Sequence, residues 1–402
     1  MTKPNLNQRF TRQYAAIQGC YWMACCAAIS YASIYLLDKG YSNSQIGLIM
    51  AISNILAVVL QPLAASFADR HKKIELRSVL TVLSTSIILA AVIFVFILSQ
   101  SFVLSALLVF IITMIIVIQP LMNSLSVAYE DSQIYINFGF ARGIGSIAYA
   151  VLSTSLGLLL RHFSNIIIPI CLCLTITAFT LLVFTFRNIN RTRKEIGKVE
   201  LSTNNSHEEQ ASSLLEFVKR NKRFMLFLLG VFFIFYNHNT LSVFTIQIIQ
   251  SYGGDSTNMG IANSIAAISE FPAMFLVNRL LKKYSCCNLI RFAACTFAVK
   301  HLIILFASSV SVYYLSQVLQ IGSYAIFIPV SVTYVSRLLS RADAVKGQAF
   351  ITTAITLGSV FASIINGKLL DLTTVNNVLW IGTIVAWIGS IVLFFSVEEV
   401  KD

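Results

Sequence analysis

Three charged residues lie inside long apolar stretches of this chain. Arg142, Glu270 and Lys300 each fall within a run of about 20 or more mostly apolar residues, long enough to cross a membrane. A charge at the centre of a membrane helix costs roughly 2.5–3.5 kcal/mol, so such residues usually serve a function. The alternative is a structural ion pair, which is a poor stabiliser on its own. We therefore expect these three residues to bind a solute or a coupling ion.

Arg142 begins a polar face along its stretch. Ser146, Tyr149 and Ser153 follow at i+4, i+7 and i+11, the spacing that places residues on one side of a helix. An arginine fork, hydroxyl groups and an aromatic ring together suit a polyhydroxylated ligand. Glycines beside this face allow a neighbouring helix to approach closely.

Further polar residues interrupt other apolar stretches. Five stand in a row from Tyr236 to Thr240, where His238 either titrates near neutral pH or hydrogen-bonds as a neutral ring. Each alone could simply bond to an adjacent helix, but together they exceed what helix packing requires. The residues that we expect to bind substrate are Arg142, Ser146, Tyr149, Asn123, Asn237, His238, Glu270 and Gln320.

The elements that carry these residues are predicted to be membrane helices. The chain has 402 residues, of which 57% are hydrophobic and 11% are charged, whereas soluble domains have about 25% charged residues. We predict an all-α membrane protein with twelve spans, located roughly at 14–37, 44–68, 78–99, 103–128, 137–160, 165–186, 224–248, 257–279, 288–307, 312–335, 345–368 and 375–397.

The net charge of +12 indicates topology rather than nucleic-acid binding. Most lysines and arginines lie in alternate connecting segments, and this positive-inside pattern predicts that both termini are cytoplasmic. The N-terminus is polar and basic, and the first apolar stretch is too long for a signal peptide, so we expect the first helix to stay in the membrane. We therefore predict a multi-pass protein of the bacterial cytoplasmic (inner) membrane.

A long polar segment at residues 187–222 divides the spans six and six. We predict an N-terminal bundle at 1–186, a cytoplasmic linker that includes a short surface helix near Leu214–Lys219, and a C-terminal bundle at 223–402. The halves carry a weak repeat, because corresponding loops begin with Asp69-Arg70 and Asn278-Arg279. We expect these four residues to act in gating, and parallel repeats of this kind predict a transporter with its site between the halves.

Motifs for other chemistry are lacking in the sequence. There is no Walker A loop, nucleophile elbow, zinc-protease motif or CxxC pair, and the eight cysteines lack metal-ligand spacing. We therefore expect no enzyme, no cofactor and no metal. The expected partners are the lipid bilayer, a small solute and protons, and we expect a monomer.

Two stretches then indicate a family. The sequences "FGFARGIGSIAYA" at Arg142 and "ISEFPAMF" at Glu270, with the loop at Asp69, resemble the major facilitator superfamily and within it the oligosaccharide:proton symporters, the lactose permease-like family. The resemblance implies that Arg142 contacts sugar hydroxyls and that Tyr149 stacks on the sugar ring. It also implies that Glu270 binds sugar and couples to the proton, and it places Lys300 where the family has an arginine.

The chain departs from this family at several charged positions. The acid of the fourth span falls near Asn123 or Ser124, and the seventh-span aspartates align with Asn237 and Thr240. The lysine, histidine and glutamate of the tenth-span proton site align with Gln317, Gln320 and Ser323. Proton coupling is therefore expected at Glu270 with Lys300.

The expected function is secondary active transport of a small polar solute, a sugar or glycoside, by alternating access with proton symport. Two alternatives stay open at this point. One is an uncoupled facilitator or an exporter of nucleosides or amphiphilic compounds, which the neutral tenth-span positions favour. The other is a solute sensor that does not transport, against which the retained loop motifs argue.

Overall fold

The computed structural model describes residues 3–70, 74–97, 99–127, 134–186 and 214–400, and every regular element in these ranges is helical. The α-helices are α1 Lys3–Cys25, α2 Ala32–Asp38, α3 Asn43–Arg70, α4 Leu76–Phe96, α5 Phe102–Val127, α6 Phe138–Leu159, α7 Ile167–Thr185, α8 Leu214–Arg220, α9 Lys222–Val243, α10 Thr245–Ser251, α11 Ser256–Lys283, α12 Cys286–Leu305, α13 Val310–Val318, α14 Tyr324–Leu338, α15 Arg341–Leu372 and α16 Val375–Ser396.

Eleven helical stretches in the described ranges are long and apolar enough to cross a membrane. The predicted eighth span coincides with α11, which has 28 residues but is not among these eleven. The side chains at positions 274, 275 and 278 of α11 lie outside the described part of the structure. The all-helical membrane fold is confirmed, whereas the count of twelve spans and the cytoplasmic location of the termini stay predictions.

The chain divides into two compact units. The first unit comprises residues 1–41 and 52–205, and the second comprises residues 42–51 and 206–402. In the first unit α1 packs along α6 and α7, and α4 packs on α5 and α7. In the second unit α9 packs on α15 and α16, while α12 contacts α14 and α16.

The predicted linker is described only at its end, because residues 187–213 lie outside the described ranges. The predicted short helix is confirmed as α8. It does not lie free on the surface, since Phe217 is fully buried in the core of the second unit and stacks on Phe350 with ring centroids 5.4 Å apart.

Each unit contains a similar turn before a long helix. Gly40 and Gly253 have φ values of 85° and 77°, a conformation that glycine adopts without strain. Each lies three residues before a 28-residue helix, α3 or α11, that contains an internal proline, Pro62 or Pro272. This shared local geometry agrees with the weak sequence repeat.

Two predicted spans are not regular α-helices. A π-helix at Cys26–Ser30 separates α1 from α2, and a 3₁₀ turn at Leu319–Ile321 separates α13 from α14. Such irregular turns within helices are frequently found at functional sites. In this chain both occur beside residues that were predicted to bind substrate.

The first turn of α3 belongs to the second unit, where Asp371 at the end of α15 holds it. Asp371 Oδ1 accepts hydrogen bonds from the backbone N and the Nδ2 of Asn43 at 2.9 and 3.0 Å. Its Oδ2 accepts from the backbone N of Ser44 at 2.8 Å and from the Ser44 hydroxyl. A carboxylate at a helix N-terminus satisfies free N–H groups and complements the helix dipole.

Candidate functional site

The first polar cluster, which we call the arginine cluster, consists of Arg142, Ser146, Trp22, Gln18 and Asn123 in the first unit. The guanidinium carbon of Arg142 lies 3.8 Å from the centroid of the Trp22 ring. Its Nη1 donates a hydrogen bond of 2.9 Å to the Ser146 hydroxyl, as the i, i+4 spacing predicts. Because Trp22 covers one face and Ser146 takes one donor, the other donors of the fork remain for a ligand.

Trp22 is itself held by a buried amide. Its Nε1 donates to Gln18 Oε1 at 3.1 Å, and Gln18 is fully buried. Gln18 Nε2 in turn donates to the Tyr14 hydroxyl at 2.9 Å and to Asn123 Oδ1 at 3.4 Å. Both ends of the amide are therefore engaged, which fixes the position of the Trp22 ring.

Gly145 makes room for this ring. A Cβ atom at position 145 would lie 2.6 Å from Trp22 Cδ1, closer than such atoms approach. The absence of a side chain at Gly145 thus allows α1 and α6 to bring Trp22 and Arg142 together. The predicted role of glycines in close helix approach is confirmed at this position.

Tyr149 lies on α6 two turns after Arg142, as the i, i+7 spacing predicts. Its hydroxyl lies 2.6 Å from the hydroxyl of Ser30, a residue of the π-helix between α1 and α2. The aromatic ring over Arg142 belongs to Trp22. Ser153, at i+11, is fully buried and lies next to Tyr31, whose hydroxyl donates to the Ser153 carbonyl oxygen.

The electrostatics of the arginine cluster follow from the type of contact. No carboxylate in the described ranges forms an ion pair with Arg142. A cation–π contact stabilises by about 0.5–2 kcal/mol, but it leaves the positive charge in place. The cluster therefore keeps the charge of one guanidinium.

The second polar cluster, which we call the glutamate cluster, consists of Glu270, Gln320 and Lys300 in the second unit. Lys300 Nζ donates to Gln320 Oε1 at 2.6 Å, and Gln320 Nε2 donates to Glu270 Oε1 at 3.1 Å. Lys300 is 3% exposed and Gln320 is 5% exposed. The amide of Gln320 thus bridges two of the three charges that lie inside apolar stretches of the chain.

The broken tenth predicted span positions Gln320. Gln320 is the middle residue of the 3₁₀ turn Leu319–Ile321, which α11 contacts. Glu270 lies on α11 two residues before Pro272, and Lys300 lies on the neighbouring α12. Discontinuous helices of this kind form the binding sites of many transporters, because they direct side chains and backbone groups into the bundle.

His238 and Tyr324 stack on each other in the second unit. Their rings are stacked with centroids 5.0 Å apart and an interplanar angle of 12°, and the edge of Phe297 meets His238. His238 Nδ1 finds no hydrogen-bond partner among the described residues. The same holds for both ring nitrogens of His301, which is 1% exposed and follows Lys300 in the chain.

Asn237 faces α16, where its Oδ1 would lie 2.2 Å from a Cβ added at Gly382. On the same helix Tyr236 donates to Asn366 Oδ1 at 2.9 Å, and Asn366 Nδ2 donates to the Thr240 hydroxyl at 2.6 Å. This buried network joins α9 to α15. Tyr236 and Thr240 therefore have a helix-packing role, which was the alternative for isolated polar residues.

The predicted gating residues lie at helix ends, each within its own unit. Arg70 is the last residue of α3 and is exposed. Arg279 is exposed on the last turns of α11. The side chains of Asp69 and Asn278 lie outside the described part of the structure, so the gating role of all four residues stays a prediction.

Four residues near the predicted site were missed by the sequence analysis: Gln18, Trp22, His301 and Asn366. Gln18 and Trp22 share an i, i+4 spacing in the first span, and this spacing is the one signal that could have drawn attention to them. The ranges that the structure describes contain no group of three histidine, cysteine, aspartate or glutamate residues that could hold a metal ion.

A bundle of apolar helices with buried polar clusters of this kind defines a membrane transporter. Residues 14–380 match the model of the MFS_1 like family, and the chain belongs to this family of the major facilitator superfamily. Its members are transporters rather than enzymes, and the chain is a multi-pass membrane protein, consistent with the cytoplasmic membrane of its bacterial relatives.

Two curated bacterial proteins are similar over most of their length. The maltose permease of Geobacillus stearothermophilus is 26% identical over 372 residues, which cover 91% of this chain and 86% of the permease. The uncharacterized transporter YwbF of Bacillus subtilis (strain 168) is 24% identical over 381 residues, which cover 92% and 90% of the two chains.

Solved structures of other transporters share the fold. The nucleoside transporter NupG has a TM-score of 0.75 at 16% identity and covers 97% of this chain and 98% of its own. A D-xylose–proton symporter has a TM-score of 0.72 at 12% identity and covers 98% of both chains. At these identities the likeness establishes the major facilitator fold and not the substrate.

Proposed function

We propose that this protein is a proton-coupled symporter that carries a sugar or glycoside across the membrane by alternating access. The observation that carries the proposal is the glutamate cluster, in which Gln320 joins Lys300 to Glu270 through two hydrogen bonds. The names of a maltose permease and a D-xylose–proton symporter among similar proteins support a sugar substrate.

Because of Gln320, Lys300 keeps a hydrogen-bond acceptor when Glu270 changes its protonation state. In the bridged arrangement the ammonium group is held by the amide oxygen of Gln320 rather than by Glu270 alone. When Glu270 binds a proton, Lys300 keeps this acceptor and stays hydrogen-bonded. Protonated Glu270 gains an O–H donor, which can donate to a sugar hydroxyl. Proton binding and sugar binding are thereby coupled at one side chain.

Each unit offers polar groups for substrate recognition. The free donors of Arg142 and the hydroxyl of Ser146 suit sugar hydroxyl groups. His238 Nδ1, which finds no hydrogen-bond partner among the described residues, suits a further sugar hydroxyl. The proposed binding set also includes Asn123, Asn237 and Tyr149. Each of these side chains already contacts a neighbour in its own unit, which a substrate would have to share or replace.

The basic loop ends are the proposed gate. Arg70 and Arg279 are exposed at the ends of α3 and α11, where they can form and break ion pairs as the transporter changes state. Asp69 and Asn278 are the proposed partners that start the corresponding loops. A charge reversal, Arg70→Glu, should slow solute exchange while leaving solute binding in detergent unchanged.

The test of proton coupling is solute uptake into liposomes that contain the purified protein, driven by an imposed pH gradient. We expect the wild type to concentrate a sugar and Glu270→Gln to equilibrate it without accumulation. Asp38→Asn, which removes an acid that is 43% exposed on α2, is the matched control and should accumulate sugar normally. Gradient-driven accumulation by Glu270→Gln equal to the wild type would disprove the coupling role.

The same liposomes separate the alternatives. A wild type that equilibrates sugars or nucleosides but concentrates neither in a pH gradient would be an uncoupled facilitator. Nucleosides belong in the panel of solutes, because the nucleoside transporter NupG shares the fold. Binding of a solute without any counterflow exchange would identify a sensor.

A further inference from the structure

In the arginine cluster the guanidinium of Arg142 is held by the aromatic ring of Trp22 and not by a carboxylate of the described residues. Arg142 stacks on Trp22 at 3.8 Å and donates one hydrogen bond to Ser146, and no acid in the described ranges pairs with it. An acidic partner would hold the guanidinium and cancel its charge at the same time. Trp22 holds it and leaves the charge available.

The stacking arrangement is a built feature of the first unit. The Trp22 ring is fixed by Gln18, which is fully buried and also hydrogen-bonded to Tyr14 and Asn123. Gly145 provides the space for the ring. Several residues on three helices therefore position Arg142 with one face covered and one edge open.

The charged groups of the two clusters do not balance. The arginine cluster contributes one positive charge, and the glutamate cluster contributes Lys300 and Glu270, which cancel. An uncompensated charge within a membrane helix is unfavourable, and an anionic ligand removes this penalty. A guanidinium with an open edge binds a carboxylate through two parallel hydrogen bonds.

We propose that the substrate is an acidic sugar, of the hexuronate type, whose carboxylate pairs with Arg142. This inference rests on the proposed function, because it names the substrate class of the same transporter. Trp22 is then a positioning residue that orients the fork for the carboxylate. Uptake of one proton at Glu270 together with one uronate anion moves no net charge across the membrane.

The test uses wild-type protein in liposomes with a fixed inward proton gradient and radiolabelled D-glucuronate or D-glucose at equal concentration. Potassium and valinomycin set the membrane potential. We expect D-glucuronate to enter about tenfold or more faster than D-glucose, as one lost charge-assisted pair would predict. We also expect its initial rate to be the same at zero and at inside-negative potential.

Variants separate the effect of the Arg142 charge from the effect of its orientation by Trp22. Arg142→Gln should abolish the preference for D-glucuronate, whereas Arg161→Gln, at an exposed arginine just after α6, should keep it. Trp22→Leu should raise the half-saturating concentration of D-glucuronate severalfold, and Trp22→Phe, which retains an aromatic face, should restore much of it. Because the two Trp22 variants keep Arg142, they test the proposal even where Arg142→Gln fails to fold.

The outcomes distinguish this inference from the proposed function. Accumulation of D-glucose with neither uptake of D-glucuronate nor competition by it would overturn the acidic substrate and leave sugar symport standing. Uptake of D-glucuronate that accelerates at inside-negative potential would show that net positive charge moves inward, and it would overturn the proposed one-to-one uptake of proton and anion. Failure of both sugars to enter would overturn the acidic substrate, and failure of maltose and other glycosides to enter as well would overturn the proposed function.

Discussion

Replacing Gln320 by leucine should destabilise the protein by about 2–3 kcal/mol. The change removes two hydrogen bonds, of 2.6 Å from Lys300 and 3.1 Å to Glu270. Hydrogen bonds to charged groups contribute about 1.5–3 kcal/mol each in soluble proteins, while bonds between membrane helices average about 0.6 kcal/mol and reach about 1.7. Because Lys300 is 3% exposed, the cost falls in the upper part of the membrane range.

The assay is equilibrium unfolding in mixed detergent micelles, followed by the circular dichroism of the helices. Gln320→Glu keeps an oxygen acceptor for Lys300 but replaces the donor to Glu270 by a second carboxyl, so it should lose less stability than Gln320→Leu at acidic pH, where one of the two carboxyls is protonated. Combining Gln320→Leu with Lys300→Met should cost less than the sum of the single changes, because no ammonium group is then left without an acceptor. A loss below about 1 kcal/mol for Gln320→Leu, or strict additivity in the double variant, would refute the bridging role.

Three further changes follow from the packing. Gly145→Ala should cost about 1–3 kcal/mol by overpacking and weaken substrate binding, because its Cβ would displace Trp22; thermal melting and solute binding measure the two effects. Asp371→Ala should cost about 0.5–2 kcal/mol in unfolding experiments, since the first backbone N–H groups of α3 lose their acceptor. Phe217→Ala should release α8 and cost about 3–5 kcal/mol, seen as faster proteolysis near residue 214 and a lower melting temperature.

Each of these changes has a matched control on the same part of the chain. Gly19→Ala places its Cβ at an ordinary 3.5 Å from Ala148 and should be tolerated, so equal effects at positions 19 and 145 would contradict the steric argument. Asp371→Asn retains one acceptor oxygen and should lie between the wild type and the alanine variant. Val218→Ala, on the exposed side of α8, should leave the melting temperature unchanged. A shift equal to that of Phe217→Ala would argue against the packing of α8 through Phe217.

The fold could be predicted from the sequence because the hydropathy of a membrane span is a local property of consecutive residues. Apolar stretches and the distribution of lysine and arginine suffice to predict helical spans without knowledge of their neighbours. The contact of Arg142 with Ser146 was equally accessible, because an i, i+4 spacing determines it within one helix. Residues on a single element are thus predictable from their spacing.

Contacts between residues on different helices could not be predicted from the sequence. Trp22 is 120 residues from Arg142, and its position over the guanidinium depends on α1 packing against α6. Gln320 was a candidate, but its place between Lys300 and Glu270 depends on the 3₁₀ turn, which no spacing rule predicts. Nothing in the spacing of α6 indicates the Trp22 ring, because tertiary packing alone brings it over Arg142.

The π-helix at Cys26–Ser30 sets the angular phase of the first predicted span. Before it, Gln18 and Trp22 face the arginine cluster, and after it Tyr31 and Tyr35 donate hydrogen bonds to backbone oxygens of Ser153 and Ile97. A π-turn contains an extra residue, and each residue of a helix advances the chain by about 100°. Deleting one residue here would turn one set of side chains away from its partners while the other stayed in place. The number of residues in this stretch, as much as their identity, therefore specifies which ring reaches Arg142.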